Sequence, residues 1–250
     1  MKLFDARIIL GRDVNLETFQ SSDLDSVRRT LDRYRIERAL LSSFASFRFD
    51  VVYGNGLVFD AAGRDERLIP CPAVLPNAAG EVGDEEGFLG ALIGRGSRCV
   101  GLYPKSCGLS LDERVVGRLL SVAQERRLPV QVCAGEVDLL SMAGLAARYP
   151  GLPFIYCPYP AALYRDRSLL PVLQGVPNLY LTINPPFAAN EGIEAICTRM
   201  GSGRLLFASN YPVAEPGSAV SYMCYADVGR EDVENIAFRN LEGLINAVNV

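Results

Sequence analysis

Arg7, Lys105, Tyr103, Cys133 and Cys157 are the side chains of this sequence best suited to chemistry. A guanidinium offers a planar fork for a carboxylate or phosphate, and a lysine offers a point charge. Arg7 and Lys105 could therefore bind a small anion together. The competing reading is a buried Arg7 held by Asp5, Asp13 or a backbone carbonyl. Cys133 could act as a nucleophile if Arg7 or Lys105 lowered its pKa, with Cys157 as a thiol partner and Tyr103 for proton or covalent work. Free cysteine is more often a small buried hydrophobe. That plainer reading gains weight because the 250 residues include no histidine to serve as a base. The same absence removes every histidine-bound metal. Asn184, Asn210, Thr182 and Ser209 could hydrogen-bond a ligand or stitch a cavity shut. Among the acids, Asp5 reads as a structural pair or cap. Glu136 and Asp138 read as the start of a helix, where negative charge suits the N-terminus.

Composition narrows the partners. With 25 Lys and Arg against 29 Asp and Glu, the net charge is −4. A mildly acidic chain without a basic run has no electrostatic footprint for nucleic acid or an anionic membrane surface. No apolar run is long enough to span a bilayer, and the opening MKLFDARIILGRD turns charged too early for a signal peptide. The seven cysteines are scattered, with no CxxC pair. They read as reduced thiols of a cytoplasmic protein, not as a disulfide framework or a zinc site. A small anionic ligand and a homo-oligomer remain as the expected partners.

These candidates need elements to position them. Short apolar runs alternate with amphipathic segments, the pattern of repeated βα units. Strands are expected at 3–10, 38–43, 68–75, 99–103, 129–133, 154–157, 179–183 and 205–209. Helices are expected at 24–36 with Asp23 as N-cap, then 51–62, 85–93, 113–127, 139–149, 168–174 and 192–200. Two more close the chain at 217–225 and 231–247. Pro70 and Pro72 remove ladder donors from the third strand, which should be short or irregular. Eight strands, each followed by a helix and with no long linker, predict a single (β/α)8 barrel over residues 1–250. No GxGxxG follows the first strand, which argues against a doubly wound dinucleotide fold, and no cofactor is expected. In such a barrel the chemistry sits where the strands end. That places Arg7 and Ile9, Asn77, Tyr103 and Lys105, Cys133, Cys157 to Tyr159, Thr182 and Asn184, and Ser209 to Tyr211 at the mouth.

Several segments carry a resemblance. Phe4-Asp5-Ala6-Arg7-Ile8-Ile9 is similar to an opening strand that reads Asp-Ala-His-x-His. Val100 to Pro104, Leu128 to Cys133 and Arg148 to Ile155 resemble the strand 4, 5 and 6 segments of the same family. Arg204-Leu205-Leu206-Phe207-Ala208-Ser209-Asn210-Tyr211-Pro212 resembles its strand 8 signature Arg-x-x-Phe-Gly-Ser-Asp-x-Pro. Val233 to Leu241 is similar to its closing helix. The family is the amidohydrolase superfamily, in its amidohydrolase-related branch of metal-dependent barrel hydrolases and decarboxylases.

The resemblance implies a TIM barrel and an ancestral metal centre. The family's metal positions fall on Arg7, Ile9, Cys133, Pro158 and Asn210, and none keeps the family's residue. Asn210 also stands where the family's general base is an aspartate, and an amide does not ionise near neutral pH. The expected function is thus a metal-free, catalytically degenerate barrel that binds or scaffolds. The alternative is a metal-independent hydrolase or lyase acting on a small carboxylate at the mouth, with Arg7, Lys105, Asn184, Asn210 and Cys157 binding it.

Overall fold

The structure, a computed structural model, describes residues 1–13, 20–78, 80–158, 166–183 and 192–250. Parallel strands alternate with helices, beginning with β1 (Leu3–Arg12), the two-residue β2 (Ser21–Ser22), α1 (Leu24–Tyr34) and β3 (Ile36–Ser43). Then come α2 (Phe44–Arg48), α3 (Val51–Ala62), β4 (Leu68–Pro70), β5 (Ala73–Val74), α4 (Glu85–Gly94) and β6 (Val100–Leu102). The second half runs α5 (Glu113–Glu125), β7 (Val130–Cys133), α6 (Leu139–Arg148), β8 (Phe154–Cys157), α7 (Leu169–Gly175), β9 (Leu179–Ile183), α8 (Gly192–Met200) and β10 (Leu205–Phe207). It ends with α9 (Pro216–Tyr225), α10 (Arg230–Glu234), a π-helical turn (Asn235–Arg239) and α11 (Asn240–Asn246).

Eight staves form a (β/α)8 barrel: β1, β3, the β4–β5 pair, β6, β7, β8, β9 and β10. The third stave is broken, as Pro70 and Pro72 require. β4 pairs with β3, and β5 pairs with β6. The last stave meets the first through one bridge, Ile8 to Tyr211, with the Ile9 amide donating to the Tyr211 carbonyl at 2.8 Å. β2 is an antiparallel appendage on β1.

Local chemistry explains most boundaries. Asp23 caps α1 in a reciprocal capping box with Ser26, and Arg35 ends that helix in the left-handed region at φ 53°. Asp50, Asp84, Asp112 and Asp138 each accept first-turn amides of the helix they precede. The short helix α2 lies outside the periodic pattern, because five residues are too few for a helical period. Its proximity to α3 depends on Gly54, where a Cβ would lie 2.1 Å from the Ser46 backbone nitrogen.

Side chains sort into layers. Outward-facing strand residues such as Val100, Val130, Phe154, Leu181 and Phe207 pack under the helices. Inward residues Phe4, Leu40, Ile69, Ile155 and Leu206 fill the barrel floor, together with Leu241, Leu244 and Ile245 of α11. At the other end Ile9, Phe44, Phe47, Ala73, Leu75 and Tyr103 form a separate apolar cluster. A polar layer lies between floor and roof.

Candidate functional site

That polar layer starts with an irregularity in β1. Asp5 pairs with Ala39 and Ile8 with Leu41, so three steps on β1 match two on β3. The extra residue is a β-bulge, a device that re-aims side chains at barrel rims. It leaves Ile8 outward, in the shell under the helices, and turns Arg7 into the barrel.

Arg7 is buried, and its Nη1 donates to Gln131 Oε1 at 2.9 Å across the barrel. Gln131 Nε2 donates in turn to the Ala6 carbonyl at 2.7 Å, which fixes the amide with its oxygen toward Arg7. Gln131 is the important residue that sequence reading passed over. A lone polar side chain in the apolar run Val130-Gln131-Val132 was the available signal. Of the partners expected for a buried Arg7, Asp13 is engaged with Arg48 at 2.8 Å. Asp5 takes the Arg7 backbone amide, not its guanidinium.

Tyr103 ends the fourth stave and folds back over Gly101, where a Cβ would lie 2.6 Å from its ring. Its ring stacks on Phe47 at 4.1 Å and an interplanar angle of 13°. The hydroxyl is buried beside Ser42 and Arg7, and among the described residues it has no partner at full hydrogen-bond geometry. Burial, opposed by the nearby Arg7 charge, pushes its pKa up, so it stays a neutral phenol.

Cys133 and Cys157 are register partners on β7 and β8, both buried. Their thiols touch and differ in acidity. The contact with Cys157 and the Arg7 charge hold Cys133 low against the opposing effect of burial, while burial and Cys133 push Cys157 up. Cys133 is thus the more acidic of the two. Cys71 and Cys99 lie in the same interior cluster, and burial beside Cys71 raises Cys99.

Asp5 is fully buried. Its Oδ1 accepts the backbone amides of Arg7 and Ser209, each at 2.9 Å, and so ties β1 to the last stave. Its Oδ2 has no partner at full hydrogen-bond geometry among the described residues. Burial, partly opposed by Ser209, the two amides and Arg7, pushes its pKa up to about 6. Among the described residues, Thr182 Oγ1, beside the Cys157 thiol, and both side-chain polar atoms of Asn210 are also buried without a partner at full hydrogen-bond geometry. Asn210 adopts φ 58°, a left-handed conformation that asparagine tolerates better than most residues.

Lys105 does not share this depth. It is exposed on the turn after Tyr103, whereas Arg7 is buried. Above the layer a polar strap crosses the mouth: Arg48 binds Asp13 and Ser106, and Ser106 donates to Glu136 from both its amide and its hydroxyl. Outside the strap lies a groove of about 460 Å³ lined by Phe47 to Val52, Leu75, Glu81, Val82, Ser106 and Cys107. Asp138 caps α6, as expected of an acid at a helix start. Tyr159 and Asn184 lie outside the described residues.

A family model described as Amidohydrolase matches residues 19–240. The chain belongs to the amidohydrolase family. Solved structures share this amidohydrolase fold end to end. An uncharacterised TIM-barrel protein of Bordetella bronchiseptica matches at a TM-score of 0.74 and 14% identity, over 99% of both chains. A probable 2-pyrone-4,6-dicarboxylic acid hydrolase of Acinetobacter baumannii, solved with citric acid bound, matches at 0.71 and 13%, over 98% of this chain and 100% of that one. A 2,6-dihydroxybenzoate decarboxylase from Rhizobium matches at 0.71 and 13%, over 98% of both. No curated protein sequence matches this amidohydrolase.

A divalent metal is the group this family implies, and the donor set does not suit one. Ile9 sits in the apolar cluster with Phe44 and Phe47. Pro158 is buried without a side-chain donor. Arg7 is a cation, and Asn210 is a neutral amide. Cys133 with its neighbour Cys157 makes two thiols, short of a ligand set. Among the described residues no three Cys, Asp or Glu side chains gather as a ligand set.

Proposed function

We propose that this amidohydrolase barrel is metal-free and catalytically degenerate, acting as a binding or scaffolding protein. What supports the reading is the residue types at the positions the resemblance assigns to the family's metal. A guanidinium, an isoleucine, a thiol, a proline and an amide stand at residues 7, 9, 133, 158 and 210. Hydrolysis on a metal needs an open cation site and a base for the attacking water, and these side chains supply neither. Expression in medium supplemented with zinc and manganese, followed by elemental analysis, tests it. The expected content is far below one ion per chain. One tightly bound ion per chain, lost when Cys133 or Asn210 is replaced, overturns the reading.

A second reading has one observation in its favour. The contact with Cys157 and the Arg7 charge hold the Cys133 thiol low, and burial pushes Asp5 up to about 6. Those groups could serve a metal-independent hydrolase or lyase acting on a small carboxylate, the class of molecule named for the dihydroxybenzoate relative. It requires Cys133 to react with iodoacetamide faster than a free cysteine. A slower reaction excludes a Cys133 nucleophile.

A further inference from the structure

We infer that Cys133 and Cys157 are an oxidisable dithiol, which hydrogen peroxide converts to a disulfide that ties β7 to β8. The inference goes beyond the binding reading above and does not depend on it.

Placement is the first argument. Cys133 ends β7 and Cys157 ends β8, and the two are register partners on adjacent parallel strands. Both side chains belong to the inner cluster, with Ile155 and Leu206. Neighbouring strands run about 4.8 Å apart, which lies inside the roughly 4.4–6.8 Å between Cα atoms that a disulfide spans. The two thiols already touch. Joining them requires side-chain rotation and little backbone movement.

The second argument is the difference between the two thiols. The inner cluster holds four cysteines, Cys71, Cys99, Cys133 and Cys157. Cys133 is 8% exposed, against 1% for Cys71 and 0% for Cys99 and Cys157. Two residues past it the chain reaches solvent at Gly135. Oxidation of a thiol follows its exposure and its thiolate character, and peroxide, with two heavy atoms, is among the smallest oxidants. The contact with Cys157 and the Arg7 charge hold the Cys133 thiol low against burial, whereas burial and a neighbouring thiol raise Cys157 and Cys99. Cys133 is therefore the attacking sulfur and Cys157, directly behind it, the resolving one. Cys107 and Cys197 lie outside this cluster, and burial raises both.

The chemistry balances in two steps. The Cys133 thiolate attacks one peroxide oxygen, the O–O bond breaks, and the departing hydroxide takes up the proton that Cys133 released and leaves as water. Sulfur is left as a sulfenic acid. The Cys157 sulfur then attacks the Cys133 sulfur. The S–S bond forms, the S–O bond breaks, and the oxygen leaves as a second water carrying the Cys157 proton. Two thiols have lost two electrons and two protons, and one peroxide has become two waters. The product removes the ionisable thiol that faces Arg7.

Peptide mapping of the folded full chain after brief exposure to a few equivalents of hydrogen peroxide tests the inference. Cys224 is exposed, so Cys224→Ser serves as the parent protein and keeps chains from coupling. Expected is the loss of two thiols per chain, a mass lower by two hydrogens, and one linked peptide pair holding Cys133 and Cys157, all reversed by dithiothreitol. In Cys157→Ala the first step should stop at a Cys133 sulfenic acid, captured by dimedone. In Cys133→Ser neither a disulfide nor a sulfenic acid at Cys157 should form. The proposal fails if peroxide leaves Cys133 and Cys157 reduced. It fails equally if the linked pair is Cys71–Cys99 or Cys99–Cys157, or if Cys157→Ala gives no dimedone adduct at Cys133. Should either variant not fold, the map of the parent protein decides by itself. Iodoacetamide is bulkier than peroxide, so a Cys133 slow with iodoacetamide but oxidised by peroxide ends the nucleophile reading above and leaves this one standing.

Discussion

Replacing Asp5 with asparagine isolates what a buried carboxyl costs this barrel. In the folded chain burial pushes its pKa up to about 6, from an ordinary 3.8. The folded state therefore holds the proton more tightly than the unfolded state does. The sign follows: the contribution to stability is fully present below pH 3.8 and is lost as pH rises through 6. At about 1.4 kcal/mol per pH unit, that gap amounts to about 3 kcal/mol, of which about 2 kcal/mol falls between roughly pH 4.5 and 7.5. The substituted amide would keep the oxygen that accepts the Arg7 and Ser209 amides, and it cannot ionise. Urea unfolding of both proteins at several pH values across that window gives the stability difference at each. The difference should move in favour of Asp5→Asn by about 2 kcal/mol from the acid to the alkaline end. Comparing the two proteins at each pH cancels the other carboxylates. A difference that stays flat would refute both the raised pKa and its assignment to burial.

Two glycine substitutions test packing at the roof. Gly101→Ala puts a Cβ 2.6 Å from the Tyr103 ring; the ring has to swing away, at a cost of about 1–3 kcal/mol, visible as a lower urea midpoint and an altered near-ultraviolet tyrosine spectrum. Gly54→Ala meets the Ser46 backbone at 2.1 Å, and backbone yields less than a ring does. The clash should outweigh the gain of up to about 1 kcal/mol that alanine brings to a helix, so the midpoint falls further than for Gly101→Ala.

Most of the fold was legible because it is written in periodicity. The strands at 154–157 and 179–183 and the helices at 51–62 and 192–200 coincide with their expected bounds. The proline pair gave the irregular third stave for a local reason, the missing amides. What stayed hidden depends on contacts distant in sequence. The β1 bulge is a mismatch with β3, and nothing in Asp5 to Ile8 announces it. Gln131 matters because Arg7 lies across the barrel, 124 residues away. The roof helix α2 takes its place from Phe47 stacking on Tyr103, and a five-residue segment has no period to read. At the site, residue types were readable and depth was not. Arg7 and Lys105 both lie near strand ends, but only the bulge turns one of them into the interior.

The seam between the last stave and β1 has a kinetic consequence. Where the other staves share ladders, this join rests on the Ile8–Tyr211 bridge, the Ile9 amide and the Asp5 carboxyl. Sub-global openings start where the fewest bonds must break. The barrel should breathe by parting along this line, like a hoop with one clasp. The Ile9 amide is then its natural reporter in deuterium exchange, losing protection ahead of the β7–β8 amides. A molecule too large for any static entrance could reach the interior during those openings.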